Sequence, residues 1–142
     1  MTKRKKHILT LEDDPEYDLI GLCTHHSDYR LAWSMNETLG FHLCKSDDFA
    51  MTDKKGQPIS EHSMYSYEDE EDRIFYYLIK NKAQGRMLIH ENPTIDYFLF
   101  ICDNHTLEVD DLVRQMKNVP SILAAYRFDP DELPSTENII FN

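Results

Sequence analysis

Glycine is scarce in this chain, 4 in 142 residues, and cysteine scarcer still, with 3. So few glycines leave neither a G-x-x-x-x-G-K nor a G-x-G-x-x-G loop, which argues against nucleotide hydrolysis and dinucleotide redox chemistry. No G-x-S-x-G elbow presents a serine nucleophile. Cys23, Cys44 and Cys102 are an odd number, each in an apolar neighbourhood and none in a C-x-x-C pair. They read as reduced core thiols of a cytoplasmic protein rather than a disulfide framework. Positive charge is also short: 15 Lys and Arg stand against 26 Asp and Glu, a net -11. Such a surface repels phosphate backbones and anionic lipid head groups, so no nucleic-acid or membrane partner is expected. No run approaches the roughly 20 apolar residues of a membrane span. The basic run Lys3-Arg4-Lys5-Lys6 leads into Ile8-Leu9-Thr10-Leu11 and then at once into Glu12-Asp13-Asp14, too short an apolar stretch for a secretory signal.

What is present fits one domain over residues 1–142, with 1–6 as a flexible lead. His7 to Leu11 reads as a short strand, and Asp14-Pro15-Glu16 as a helix start with an acid cap and proline at the first helical position. Tyr17, Ile20 and Cys23 then suit a short helix, with a strand through Tyr17–Cys23 as the rival because Gly21 weakens it. Ser27 or Asp28 caps the next helix, whose face is marked by Leu31, Trp33, Met35 and Leu39 and which stops at Gly40. Strands follow over Phe41–Cys44, Ser63–Tyr67, Arg73–Ile79, Arg86–Ile89, Tyr97–Cys102 and Ile122–Phe128. The turn-rich Asp53–Pro58 and the acidic Glu68–Asp72 separate some of them. From Thr106 as cap, Leu107, Val109, Leu112, Val113 and Met116 recur at helical spacing. A strand, helix and strand in succession place Ile122–Phe128 parallel to Tyr97–Cys102 by a right-handed crossover. The tail, with Ile139, Ile140 and Phe141, is too apolar to float free. The expected fold is therefore α+β: a mixed, mainly antiparallel sheet of about five or six strands with helices packed on one side.

Ile89-His90-Glu91-Asn92-Pro93-Thr94-Ile95-Asp96-Tyr97, running into Phe98-Leu99-Phe100-Ile101-Cys102, combines spaced acids with a buried strand. It resembles the motif of the bacterial IPExxxVDY proteins, a family named for its motif rather than for an activity, with His90 where the motif has Pro and Ile95 where it has Val. Three other segments resemble the same family, in order: Tyr29-Arg30-Leu31-Ala32-Trp33 with Asn36, Ala124-Ala125-Tyr126-Arg127-Phe128-Asp129-Pro130, and Ser135-Thr136-Glu137-Asn138-Ile139-Ile140-Phe141. The resemblance implies a bacterial protein and carries over no catalytic residue and no cofactor.

Arg30, Glu91, Asp96 and Tyr97 form the candidate polar cluster. Acids before a strand commonly brace a turn, and Pro93 puts Asn92 to Ile95 in a bend whose N–H groups need acceptors. Arg30 is expected to bridge the early helix to Glu91 and Asp96. The competing reading makes Glu91, Asp96, Tyr97 and Arg30 an acidic pocket for acid–base work or a small ligand. No metal is expected: His25-His26, and His42 with Cys44, lack the spacing of H-x-x-x-H or H-E-x-x-H. Glu68–Asp72 lacks the glycine and alternation of a calcium loop. Tyr65, Tyr67, Tyr76 and Tyr77 flank five carboxylates, so they read as core and cross-strand pairs rather than a base-stacking platform. With no catalytic residue, cofactor or metal assigned, the chain is read as a non-enzymatic module that binds a protein partner or its own copy.

Overall fold

A sheet needs both faces covered if its central strands are nearly continuous in apolar residues, and three strands of this chain are. In the computed structural model, which describes residues 16–141, these are β1 (Tyr17–Cys23), β4 (Ile74–Lys80) and β7 (Tyr97–Cys102), adjacent in the middle of a six-stranded sheet. Joined by β2 (Cys44–Thr52), β3 (Pro58–Asp69) and β8 (Ala124–Phe128), they lie in the order β2-β3-β4-β7-β1-β8. Two short strands, β5 (Lys82–Ala83) and β6 (Arg86–Met87), make a separate hairpin.

The two α-helices cover one face. α1 (Asp28–Leu39) contributes Leu31, Ala32 and Met35, and α2 (Val109–Met116) contributes Val109, Leu112 and Met116, to a core with Ile20, Leu22, Leu78, Leu99 and Ile101. The other face, with Leu19, Ile79, Phe98 and Phe100, is closed by Leu88, Ile89 and Ile95 of the segment after β4 and by Leu133 and Ile139 of the tail. The tail docks as its composition requires. Tyr17 donates its hydroxyl towards the carbonyls of Thr136 and Ile139, and Phe141 stacks on Tyr77 with ring centroids 4.2 Å apart. The fold is α+β with both α-helices on one side, and among the described residues no helix is long and apolar enough to cross a membrane.

Several local expectations are corrected. Residues 17–23 form a strand, not a helix: β1 pairs with β7 on one side and β8 on the other, and its Leu-Ile-Gly-Leu run is buried on both faces. β7 and β8 do point the same way, but β1 lies between them, so every ladder is antiparallel and the sheet is not mixed. Phe41 to Leu43 are not strand, because Asn36 takes a strand partner's place: its Nδ2 donates to the Leu43 carbonyl and its Oδ1 accepts the Leu43 N–H. Trp33 is 56% exposed, on the side of α1 away from Leu31 and Met35. Thr106 does not cap α2; Asn104 Oδ1 accepts the N–H groups of Thr106 and Leu107, and the helix begins at Val109. Only Arg86–Met87 of the 86–89 run is strand, and β8 starts at Ala124. Cys44 is exposed on edge strand β2, while Cys23 and Cys102 are half-buried, and all three are free. The readings of residues 1–6, His7–Leu11 and the Asp14-Pro15 helix start lie outside the described residues.

Other features follow the local chemistry. Ser27 caps α1, and Gly40 ends it in the left-handed conformation at φ 74°. Asp53 Oδ1 accepts the N–H groups of Lys55 and Gln57 in the β2–β3 turn, and Asp69 Oδ1 those of Glu71 and Asp72 in the β3–β4 turn. Tyr67 and Tyr76, opposite each other on β3 and β4, stack at 4.9 Å.

Candidate functional site

Residues 81–96 carry fifteen backbone N–H groups, Pro93 having none, with little ladder to satisfy them, so the segment depends in part on side chains. Asn81, fully buried at the end of β4, ties several of these groups together. Its backbone N–H donates to the Asp96 carbonyl, and its own carbonyl accepts from Leu88. Its Nδ2 donates to the carbonyls of Ile95 (2.9 Å) and Asn92 (3.2 Å), while its Oδ1 accepts the Ile89 N–H at 2.9 Å. The bend is thereby closed around one amide side chain.

The two acids of the bend leave it in different directions. Asp96 reaches the start of the β1–α1 connection, where Oδ2 accepts the Thr24 N–H at 2.9 Å. Thr24 in turn donates to the Ser121 carbonyl, and Ser121 Oγ lies 2.8 Å from His26 Nδ1. Glu91 instead reaches the tail: Oε2 accepts the Ser135 N–H at 3.1 Å and lies 3.7 Å from His90 Nε2. Burial alone would raise the Glu91 pKa, but hydrogen bonds from Ser135 and from its own backbone N–H, with His90 nearby, together outweigh it and hold the carboxyl below its ordinary value. Its other oxygen, Oε1, and Asn92 Oδ1 are buried without a partner among the described residues.

Of the four residues picked from sequence, Asp96 and Tyr97 line one cavity together. It is a hollow of about 220 Å³ at the start of α1, which they line with His25, His26, Lys80 and Lys82 among others. Tyr97 is buried, and its pKa is raised by that burial and by the nearby carboxylates of Asp28 and Asp96. The expected Arg30 bridge is absent. Arg30 is exposed on α1 and makes no ion pair with either acid; each carboxylate instead accepts one backbone N–H, Thr24 on Asp96 and Ser135 on Glu91.

A larger hollow, about 550 Å³, lies between β2–β3, the β5–β6 hairpin and the tail; His90, Ser135 and Asn138 are among its lining residues. Two residues that matter here escaped sequence reasoning. Asn81 is one; its only signal is an amide side chain at the end of a continuous apolar strand, before a long irregular segment. The other is His62, fully buried, with Nε2 2.8 Å from Ser60 Oγ and Nδ1 2.9 Å from the Lys80 carbonyl. A carbonyl only accepts, so Nδ1 carries the proton and Nε2 accepts from Ser60.

Burial disfavours the thiolate form of two of the three cysteines. Burial, with Asp103 and Asp18 nearby, pushes the Cys102 thiol up to about 12, and burial beside Asp96 raises that of Cys23. Among the described residues no three His, Cys, Asp or Glu side chains gather as a metal site would require. No protein-family model, curated protein or solved structure matches this chain.

Proposed function

We propose that the chain is a non-enzymatic protein-interaction module whose contact surface is the outer edge of β8. One observation carries this reading: the two edges of the sheet are built differently. Edge strand β2 has the devices that discourage strand addition, with Lys45, Asp47 and Asp48 on it and register breaks between Ser46 and Phe49 and between Met51 and Thr52. Edge strand β8, Ala-Ala-Tyr-Arg-Phe, has no register break and a single charge. Its only charge, Arg127, is already tied to Asp110 at 3.1 Å and Asp18 at 3.5 Å. Among the described residues its outer edge is unpaired, and beside it Leu123 and Tyr126 are 60% and 52% exposed. An open strand flanked by apolar side chains is a template for a further strand.

The partner this surface favours is another protein rather than a second copy. Asp129, Asp131 and Glu132 follow β8 directly in the chain, and two copies of net charge -11 repel each other. The four family-like segments support reading the chain as a bacterial IPExxxVDY protein, and the free thiols a cytoplasmic one.

Hydrogen exchange on the chain alone, at low and high concentration, and on complexes captured from cells tests the proposal. Protection of the amides of residues 124–128 in a complex is expected, and the double variant Leu123→Lys with Tyr126→Lys should abolish it while leaving the unfolding temperature unchanged. Complexes that protect other surfaces, or none, would sink the proposal.

A further inference from the structure

The 550 Å³ hollow falls within the roughly 300–1,000 Å³ range of small-molecule sites. It sits towards the β2 end of the sheet, away from β8, so nothing about it depends on the interaction surface. Much of its lining is apolar, from Met51, Ile59, Met87 and Leu88. Its charge is unexpected for this chain: although acids outnumber bases 26 to 15, the ionisable side chains that line it are Arg86 and His90, and no carboxylate does. Arg86 forms no ion pair among the described residues. Glu91, the neighbour of His90, is committed to the Ser135 N–H.

The walls are also fixed before any ligand arrives. Asn81 holds the 88–95 segment, Glu91 ties that segment to the tail at Ser135, and Ser60 is held by buried His62. Preorganised walls spare a ligand the cost of ordering them.

We propose that this hollow binds a small organic anion with an apolar body, an aliphatic or aryl carboxylate. Its charged end meets the Arg86 guanidinium, whose paired N–H groups match a carboxylate's two oxygens. Its body lies against Met51, Ile59, Met87 and Leu88. Glu91 then serves as a positioning group: it does not line the hollow but holds Ser135, which does, in the wall.

Nuclear magnetic resonance titration of the full ¹⁵N-labelled chain with octanoate, octan-1-ol and octan-1-amine tests this. Octanoate should give saturable shifts of the Ser60, Arg86, Met87 and Ser135 amides. The amine should give none, and the alcohol should bind more weakly. Arg86→Gln, a change on an exposed hairpin, should weaken octanoate binding by about tenfold or more, the worth of one hydrogen bond to a charged group, and Arg86→Lys should restore part of it. The proposal is overturned if octanoate produces no saturable shifts, if the shifts map elsewhere, if the amine binds as well as the acid, or if Arg86→Gln binds octanoate unchanged.

Discussion

Asn81 uses every hydrogen-bonding group it owns: backbone N–H and carbonyl, both Nδ2 protons and Oδ1. Replacing it with alanine would strand the Ile89 N–H and remove the donor from the Ile95 carbonyl, both buried, as well as one donor from the part-buried Asn92 carbonyl. Each buried polar group left unsatisfied costs about 1–3 kcal/mol, so Asn81→Ala should destabilise the fold by about 3 kcal/mol and speed exchange of the Leu88 and Ile89 amides. A loss below about 1 kcal/mol in urea unfolding would show that water replaces the side chain freely. The acids of the same bend were legible in kind but not in partner. Pro93 and the run into an apolar strand mark Glu91 and Asp96 as acceptors near a turn. Which donors meet them depends on elements far away in sequence, Thr24 after β1 and Ser135 in the tail. Arg30 looked like a partner because an arginine and two acids attract on paper, but a surface side chain gains little from reaching inward to carboxylates already bonded to backbone.

β1 shows why element type was harder to read than element position. A strand covered on both faces loses the alternation that distinguishes strands from helices, and Tyr17, Ile20 and Cys23 fall at helical spacing by coincidence. Gly21 was the true signal, and its reason is packing. A Cβ there would lie 2.5 Å from Phe128 Cε2 and 3.1 Å from two carbons of Ile95, so its absence lets β8 and the bend close on β1 together. Gly21→Ala should therefore destabilise the protein by about 1–3 kcal/mol, the cost of overpacking. Phe128→Leu in the same chain should recover part of that loss, since the ring edge is the nearest obstruction. Full additivity of the two changes in a double-mutant cycle would refute the contact as the cause. α1, by contrast, was legible end to end, because Ser27 and Gly40 are local signals that need no distant partner.

Over the whole molecule, stability against pH sets two tendencies against each other. With a net charge of -11, lowering the pH removes self-repulsion among the surface carboxylates and favours the folded chain. Buried His62 acts in the opposite direction. Burial lowers its pKa below the ordinary 6.5, only partly offset by the Lys80 carbonyl and Asp48, and protonating Nε2 would force the Ser60 hydroxyl to turn from donor to acceptor. Between that lowered value and 6.5 the unfolded chain binds the proton and the folded one does not, so stability from this residue is complete above 6.5 and falls as the pH drops through the window. His62→Gln removes the titration while keeping a donor for Lys80 and an acceptor for Ser60, and the other six histidines are common to both proteins. The difference in unfolding free energy, wild type minus variant, should be constant above 6.5 and shift steadily against the wild type below it. A difference that stays flat to the acid end of the transition would mean that His62 titrates in the folded protein as it does in the unfolded chain, and that its burial between β3 and β4 does not penalise the charge.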